Sequence, residues 1–228
     1  MLQSPIFAPE SNWSIPDIFP KFSDTERIAI DLETYDPHLL TSGPGWATNR
    51  GYMVGVGVAT KDWKGYFPIR HEGGGNLDEA VVLRWLQNTL SSTKREVIFH
   101  NALYDVGWLR REGVDVKGKI LDTMFAAPIV DENRYSYSLD ALGQTYCGEK
   151  KDESLLQDAA LAWGINPKAE MYKLHSKYVG PYGEQDAALT LKLYEKLKLE
   201  LREQNLEPIY EMECKLIPLL LEMRWRGV

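Results

Sequence analysis

The sequence predicts an α/β fold, a mixed β-sheet flanked by helices, on three observations. The run Arg27-Ile-Ala-Ile-Asp-Leu is a short buried-strand pattern that ends at acidic residues. Residues 51–60 and 62–69 carry the same strand character, rich in Val, Tyr and Trp. Beyond residue 77 the apolar spacing alternates between helix and short strand, and from Asp122 onward it is helical. With 44% hydrophobic residues in 228, the chain has enough apolar surface for a substantial core.

Before the first strand, Pro5, Pro9, Pro16 and Pro20 read as an extended arm whose Trp13, Ile15, Ile18, Phe19 and Phe22 pack onto the body. Residues 35–50 read as a loop, with Pro37, Gly43, Pro44 and Gly45. The first three strands then form a meander on one side of the sheet. Residues 77–90 give an amphipathic helix, 97–99 a strand, 102–111 a helix that Asn101 is placed to cap, and 119–121 a further strand. Asp122 reads as an N-cap, residues 138–146 as a helix, and residues 181–206 as a long helix with Ala187, Leu191, Tyr194 and Leu197 on one face. The tail, residues 209–228, is an amphipathic helix stopped by Gly227, and it reads as a junction into more protein. A mixed sheet followed by helices in this order is the ribonuclease-H-like pattern.

Composition removes several classes. Residues 1–22 show neither a signal peptide nor a membrane-spanning run, which points to a cytoplasmic protein. Cys147 and Cys214 lack zinc-site spacing and read as two buried thiols. A net charge of −7 argues against a tight, autonomous nucleic-acid clamp. Gly73-Gly74-Gly75 lacks the Lys-Ser/Thr of a phosphate cradle and reads as a turn, and no glycine fingerprint follows the first strand.

Three acidic motifs stand where this topology can bring them together. In Asp31-Leu-Glu33, strand alternation puts both carboxylates on one face. In Asn101-Ala-Leu-Tyr-Asp105, and again in Tyr182-Gly-Glu-Gln-Asp186, four-residue spacing aligns the end residues along one helix face. Taken singly, each has a plain structural reading as a turn former, a helix cap or a surface charge. Taken together, clustered carboxylates repel one another unless cations hold them, so the set points to a site for two divalent ions.

These residues resemble the DEDD exonucleases, and within them the 3′→5′ proofreading domains of family A DNA polymerases of phage and bacteria. "IAIDLETYDP", "FHNALYDVGWL" and "YGEQDAALTLKLY" are similar to the three exonuclease motifs, and "LDTMFAAPIV" and "YSLDALGQTYCG" to the connecting segments. The phage and bacterial members come closest through "ETYDPHLLTSGPGW", and "ECKLIPLLLEMRWRGV" resembles the exit toward a polymerase thumb. Pro181 occupies the position of the base in the histidine subclass, whereas Tyr182 stands four before Asp186, so the resemblance is to the tyrosine subclass.

The resemblance implies a two-metal 3′→5′ exonuclease using Mg²⁺ or Mn²⁺, with Asp31, Glu33, Asp105 and Asp186 as ligands and Asp31 bridging both ions. Tyr182 would orient the attacking water, since a phenol with a pKa near 10 is a poor base at neutral pH. Asn101 and Tyr104 are implied contacts to the terminal nucleotide. Thr34 either donates a hydrogen bond to the 3′ end or forms a turn. His38, His71 and His175 read as surface residues, and His100 as having no catalytic role. Residues 1–26 are then the arm, 27–206 the exonuclease domain and 207–228 the start of a thumb, with single-stranded DNA 3′ ends and a polymerase domain as partners. An exoribonuclease of the same fold and a silent scaffold domain stand as alternatives.

Overall fold

The computed structural model describes residue 5 and residues 7–228; residues 1–4 and 6, the first part of the predicted arm, lie outside the described residues. Five strands form one sheet: β1 (Ile28–Tyr35), β2 (Tyr52–Ala59), β3 (Lys64–Pro68), β4 (Glu96–Phe99) and β5 (Lys119–Asp122). Their order is β3-β2-β1-β4-β5. The first three run antiparallel as the predicted meander, and β4 and β5 join parallel to β1. This is the ribonuclease-H-like layout. β1 takes the centre because Ile28, Ala29 and Ile30 are fully buried and tolerate cover on both faces.

Residues 35–50 do not form the plain loop expected. They contain two single-turn helices, α1 (Leu39–Ser42) and α2 (Gly45–Thr48). Asp36 Oδ2 accepts the Gly45 N–H at 2.8 Å, and Trp46 is buried, so tertiary contacts hold turns that the Pro and Gly residues alone would leave open. The helices α3 (Glu79–Leu90) and α4 (Ala102–Arg111) fall where the apolar spacing puts them. After β5 come α5 (Thr123–Val130), α6 (Leu139–Leu142) with a π-turn at Gly143–Cys147, α7 (Ser154–Trp163), α8 (Ser176–Glu203) and α9 (Glu207–Arg226). Gly227 ends α9 in the left-handed region at φ 83°, as the sequence suggests.

The long helix α8 begins at Ser176, five residues before the predicted start. Pro181 therefore lies inside it, where it cannot donate to the carbonyl of Lys177. That carbonyl instead accepts the hydroxyl of Ser11, from the N-terminal arm, at 2.7 Å. The arm thus satisfies the backbone group that the proline leaves free, which is why proline is tolerated here. Trp13 continues the docking. Its ring fills the space a side chain at Gly180 would occupy, and its indole N–H donates to Glu184 Oε1 at 2.8 Å. Phe19 stacks on Phe67 and Phe22 packs on Trp63, but Ile18 is 76% exposed and does not join the core as expected.

Helix α8 crosses β1, β2 and β3 at very short range. A Cβ at Gly57 of β2 would lie 2.2 Å from the carbonyl oxygen of Gly183, so only glycine permits the approach that brings α8 down onto β1. Three further expectations are corrected. Asn101 sits at φ 77° and its side chain caps nothing; the α4 N-terminus is instead held by Asp122, whose carboxylate accepts from Asn101 N at 3.1 Å and Ala102 N at 2.7 Å. His71 is buried rather than on the surface, its Nδ1 against the Leu174 carbonyl and its Nε2 2.8 Å from the Tyr66 hydroxyl. Cys147 is only half-buried, whereas Cys214 is buried as expected. The triple-glycine segment is a turn, docked on the start of α8 through the Ser176 hydroxyl bond to the Gly75 carbonyl.

Candidate metal centre

Alternation along β1 turns Asp31 and Glu33 to one face while Ile30 and Leu32 enter the core. The register slips at a bulge between Glu33 and Thr34, at the end of the strand nearest the carboxylates. Helix α8, lowered onto β1 by the Gly57–Gly183 contact, delivers Asp186. One oxygen each from Asp31, Glu33 and Asp186 lie within 4.8 Å of one another. Glu33 and Asp186 are buried and Asp31 is partly exposed, so the cluster opens to solvent on the Asp31 side.

Asp105, on α4, is also buried, but it stands apart from this trio. Its Oδ1 accepts the backbone N–H of Leu32, the residue between the other two acids, at 3.2 Å. The structure therefore gathers three of the four predicted carboxylates into one cluster that could hold a metal ion and ties the fourth to the same strand.

Burial raises every one of these acids, and the neighbouring charges raise Asp31, Glu33 and Asp105 further. Asp31 is pushed up to about 7, first by burial and then by Asp186, against the pull of Lys151. Glu33 rises well above its usual range through burial and the charges of Asp31 and Asp186. Asp105 rises likewise through burial and Asp31, opposed by the Leu32 N–H. Burial also raises Asp186, while the Lys151 ammonium and the Tyr182 hydroxyl draw it down. Asp186 Oδ1 is buried without a hydrogen-bond partner. Hard carboxylate oxygens converging in this way suit a divalent ion such as Mg²⁺ or Mn²⁺.

Tyr182 lies one helical turn before Asp186, as its spacing requires. Its phenol is driven up by burial and then by Glu33 and Asp186, so it remains protonated. Thr34 and Tyr104 meet at the end of β1, their hydroxyls 2.7 Å apart, and the Tyr104 hydroxyl donates to Asp36 Oδ2 at 3.1 Å. Asn101 is exposed near the α4 N-terminus.

Sequence reasoning missed one contact and one residue. Asp122, which the sequence offers as a fifth acid near the site or, preferably, as a cap for its own helix, does accept from Met124 N at 2.7 Å. It also clamps the start of α4, and thereby Asp105. The missed residue is Lys151, in the loop before α7. Its ammonium lies 2.5 Å from Asp186 Oδ2 and 3.1 Å from the Tyr182 hydroxyl, and 4.6 Å from the centre of the Tyr182 ring. Burial lowers this ammonium's pKa, but Asp186, Asp31 and Glu33 outweigh it and hold the group charged. Nothing in Lys150-Lys151-Asp152-Glu153 separates this lysine from an ordinary solvated charge run.

The fold and the carboxylate cluster define a nuclease-type domain. Residues 14–202 match the 3′-5′ exonuclease family found in family A DNA polymerases, and the chain belongs to that family. It is 38% identical over 234 residues to a DNA-directed DNA polymerase of Pseudomonas phage M6, covering 100% of this chain and 35% of that protein. It is 26% identical over 215 residues to DNA polymerase I of Pseudomonas aeruginosa, covering 91% of this chain and 22% of that one. The chain thus spans about a third or less of the length of these relatives. Among solved structures, Brucella melitensis NrnC with bound Mg²⁺ superposes with a TM-score of 0.61 at 16% identity, over 89% of this chain and 87% of that one. No helix among the described residues is long and apolar enough to cross a membrane.

Proposed function

We propose that residues 27–206 hydrolyse single-stranded DNA from its 3′ end, as the proofreading part of a longer polymerase that acts in the cytoplasm. Residues 1–26 make up the arm, whose Ser11 and Trp13 dock on α8, and residues 207–228 lead toward the polymerase body. The observation that carries this reading is the convergence of Asp31, Glu33 and Asp186 oxygens within 4.8 Å, one helical turn from a protonated tyrosine. The similarity to polymerases of phage and bacteria favours DNA over RNA.

In this reading Asp31, Glu33, Asp105 and Asp186 would hold two divalent cations, Mg²⁺ or Mn²⁺. When bound, those ions supply Lewis-acid charge at the scissile phosphodiester. Tyr182 keeps its proton and so orients the attacking water by a hydrogen bond, without acting as a base. Asp105 keeps its place through the Leu32 amide. Thr34 and Tyr104, hydrogen-bonded to each other, form the floor against which the terminal nucleotide rests, and Asn101 reaches it from the start of α4.

The test is a digestion of matched 5′-labelled DNA and RNA single strands with Mg²⁺, alongside a chelator control. Stepwise shortening of the DNA from its 3′ end, abolished by the chelator, is the expected result. Preferential digestion of RNA, or no metal-dependent digestion of either strand, overturns the reading.

A further inference from the structure

The ammonium of Lys151 sits inside the carboxylate cluster, and its position is fixed by the fold. Its loop is fastened along α8 on both sides. Asp152 N donates to Gln185 Oε1 at 2.9 Å, the Gln185 amide reaches back to the Lys150 carbonyl at 3.4 Å, and Lys192 pairs with Glu149 at 2.8 Å. The Lys151 amide donates to Asp140 Oδ1 at 3.3 Å, closing the loop from a third direction. The side chain that results is only 10% exposed and faces an Asp186 side chain that is 5% exposed. A lysine this buried is held by its partners, because an unpaired ammonium would be expelled to water.

Its charge also answers a need of the site. Asp31, Glu33 and Asp186 crowd their oxygens within 4.8 Å of one another, and Lys151 places its ammonium against Asp186. It touches Asp186, a proposed ligand, and Tyr182, the proposed water-orienting group, at the same time.

We propose that Lys151 is a positioning residue that serves as the site's own cation: it holds Asp186 and Tyr182 in place when no divalent ion is bound, and a divalent ion must displace it from Asp186 to bind. This rests on the metal-site reading above. The proposal differs from a simple structural role in its sign. A lysine that merely braces the ligands helps metal binding, whereas a competing ammonium opposes it.

The experiment is a Mg²⁺ titration of the substrate-free chain followed by thermal shift, comparing wild type with Lys151→Met and Lys151→Arg. Lys151→Met, which keeps the stem and removes the charge, should melt lower in EDTA and lower the Mg²⁺ midpoint about tenfold, a change of about 1.4 kcal/mol. Lys151→Arg should stay near the wild-type midpoint. An unchanged or raised midpoint in Lys151→Met overturns the proposal. If Lys151→Met does not fold in EDTA, wild-type protein is treated with an amine-acylating reagent and read by mass spectrometry. Lys151 should be protected in EDTA and acylated in saturating Mg²⁺, with Lys150 unchanged, and equal protection in both conditions overturns the proposal. A wild-type chain whose melting does not respond to Mg²⁺ or Mn²⁺ at all would instead refute the metal-site reading.

Discussion

Replacing Asp31 with Asn should stabilise the metal-free chain while destroying its proposed function. The substitution keeps shape and removes one charge from a cluster in which Glu33 and Asp186 each present an oxygen within 4.8 Å. Burial and Asp186 lift the Asp31 carboxyl from 3.8 to about 7. At about 1.36 kcal/mol per decade that rise corresponds to roughly 4 kcal/mol. Asp31 is partly exposed, however, and water screens its charge, so about 1–2 kcal/mol is the share expected in stability. Because the native carboxyl holds its proton more tightly than the unfolded one, its favourable contribution is complete below about pH 4 and disappears as pH rises through about 7. Asn has no such loss. The difference between variant and wild type should therefore open between pH 4 and 7 and stay level above. Thermal melts in EDTA at pH 8 should place Asp31→Asn about 2–8 °C above wild type. In saturating Mg²⁺ the order should reverse, since the variant loses a ligand. A variant that melts at or below wild type in EDTA at pH 8 would refute the repulsion account.

Tyr182→Phe keeps the ring beneath Lys151 but removes the hydroxyl, so single-turnover hydrolysis should slow by roughly 10–1000-fold. Asp31→Asn, by contrast, should be far slower still; the reverse order would mean the tyrosine is a true base or the ligand set is misassigned. Asp122→Ala should cost about 3 kcal/mol, lowering the melting point by roughly 6–12 °C, because three N–H groups lose one buried carboxylate. A shift below about 2 °C would show that water or another group replaces the cap.

What the sequence determined by itself is whatever depends on neighbours a few residues apart. Strand alternation placed Asp31 with Glu33, helical spacing placed Tyr182 one turn before Asp186, and the apolar runs located all five strands and the limits of α4. Such periodicities are local consequences of backbone geometry and survive without any knowledge of the fold. The tertiary structure decided the features that join distant segments. Only the packed chain shows Ser11 filling the carbonyl freed by Pro181, inside a helix that starts at Ser176. Only there does Asp122 clamp the start of α4 in place of Asn101, or Asp105 bind the Leu32 amide instead of joining the trio. His71 and Lys151 make the same point. A histidine after a strand and a lysine in a charged loop look solvated in sequence, and each is buried because a partner more than 30 residues away, Leu174 for one and Asp186 for the other, supplies the polar contact that burial requires.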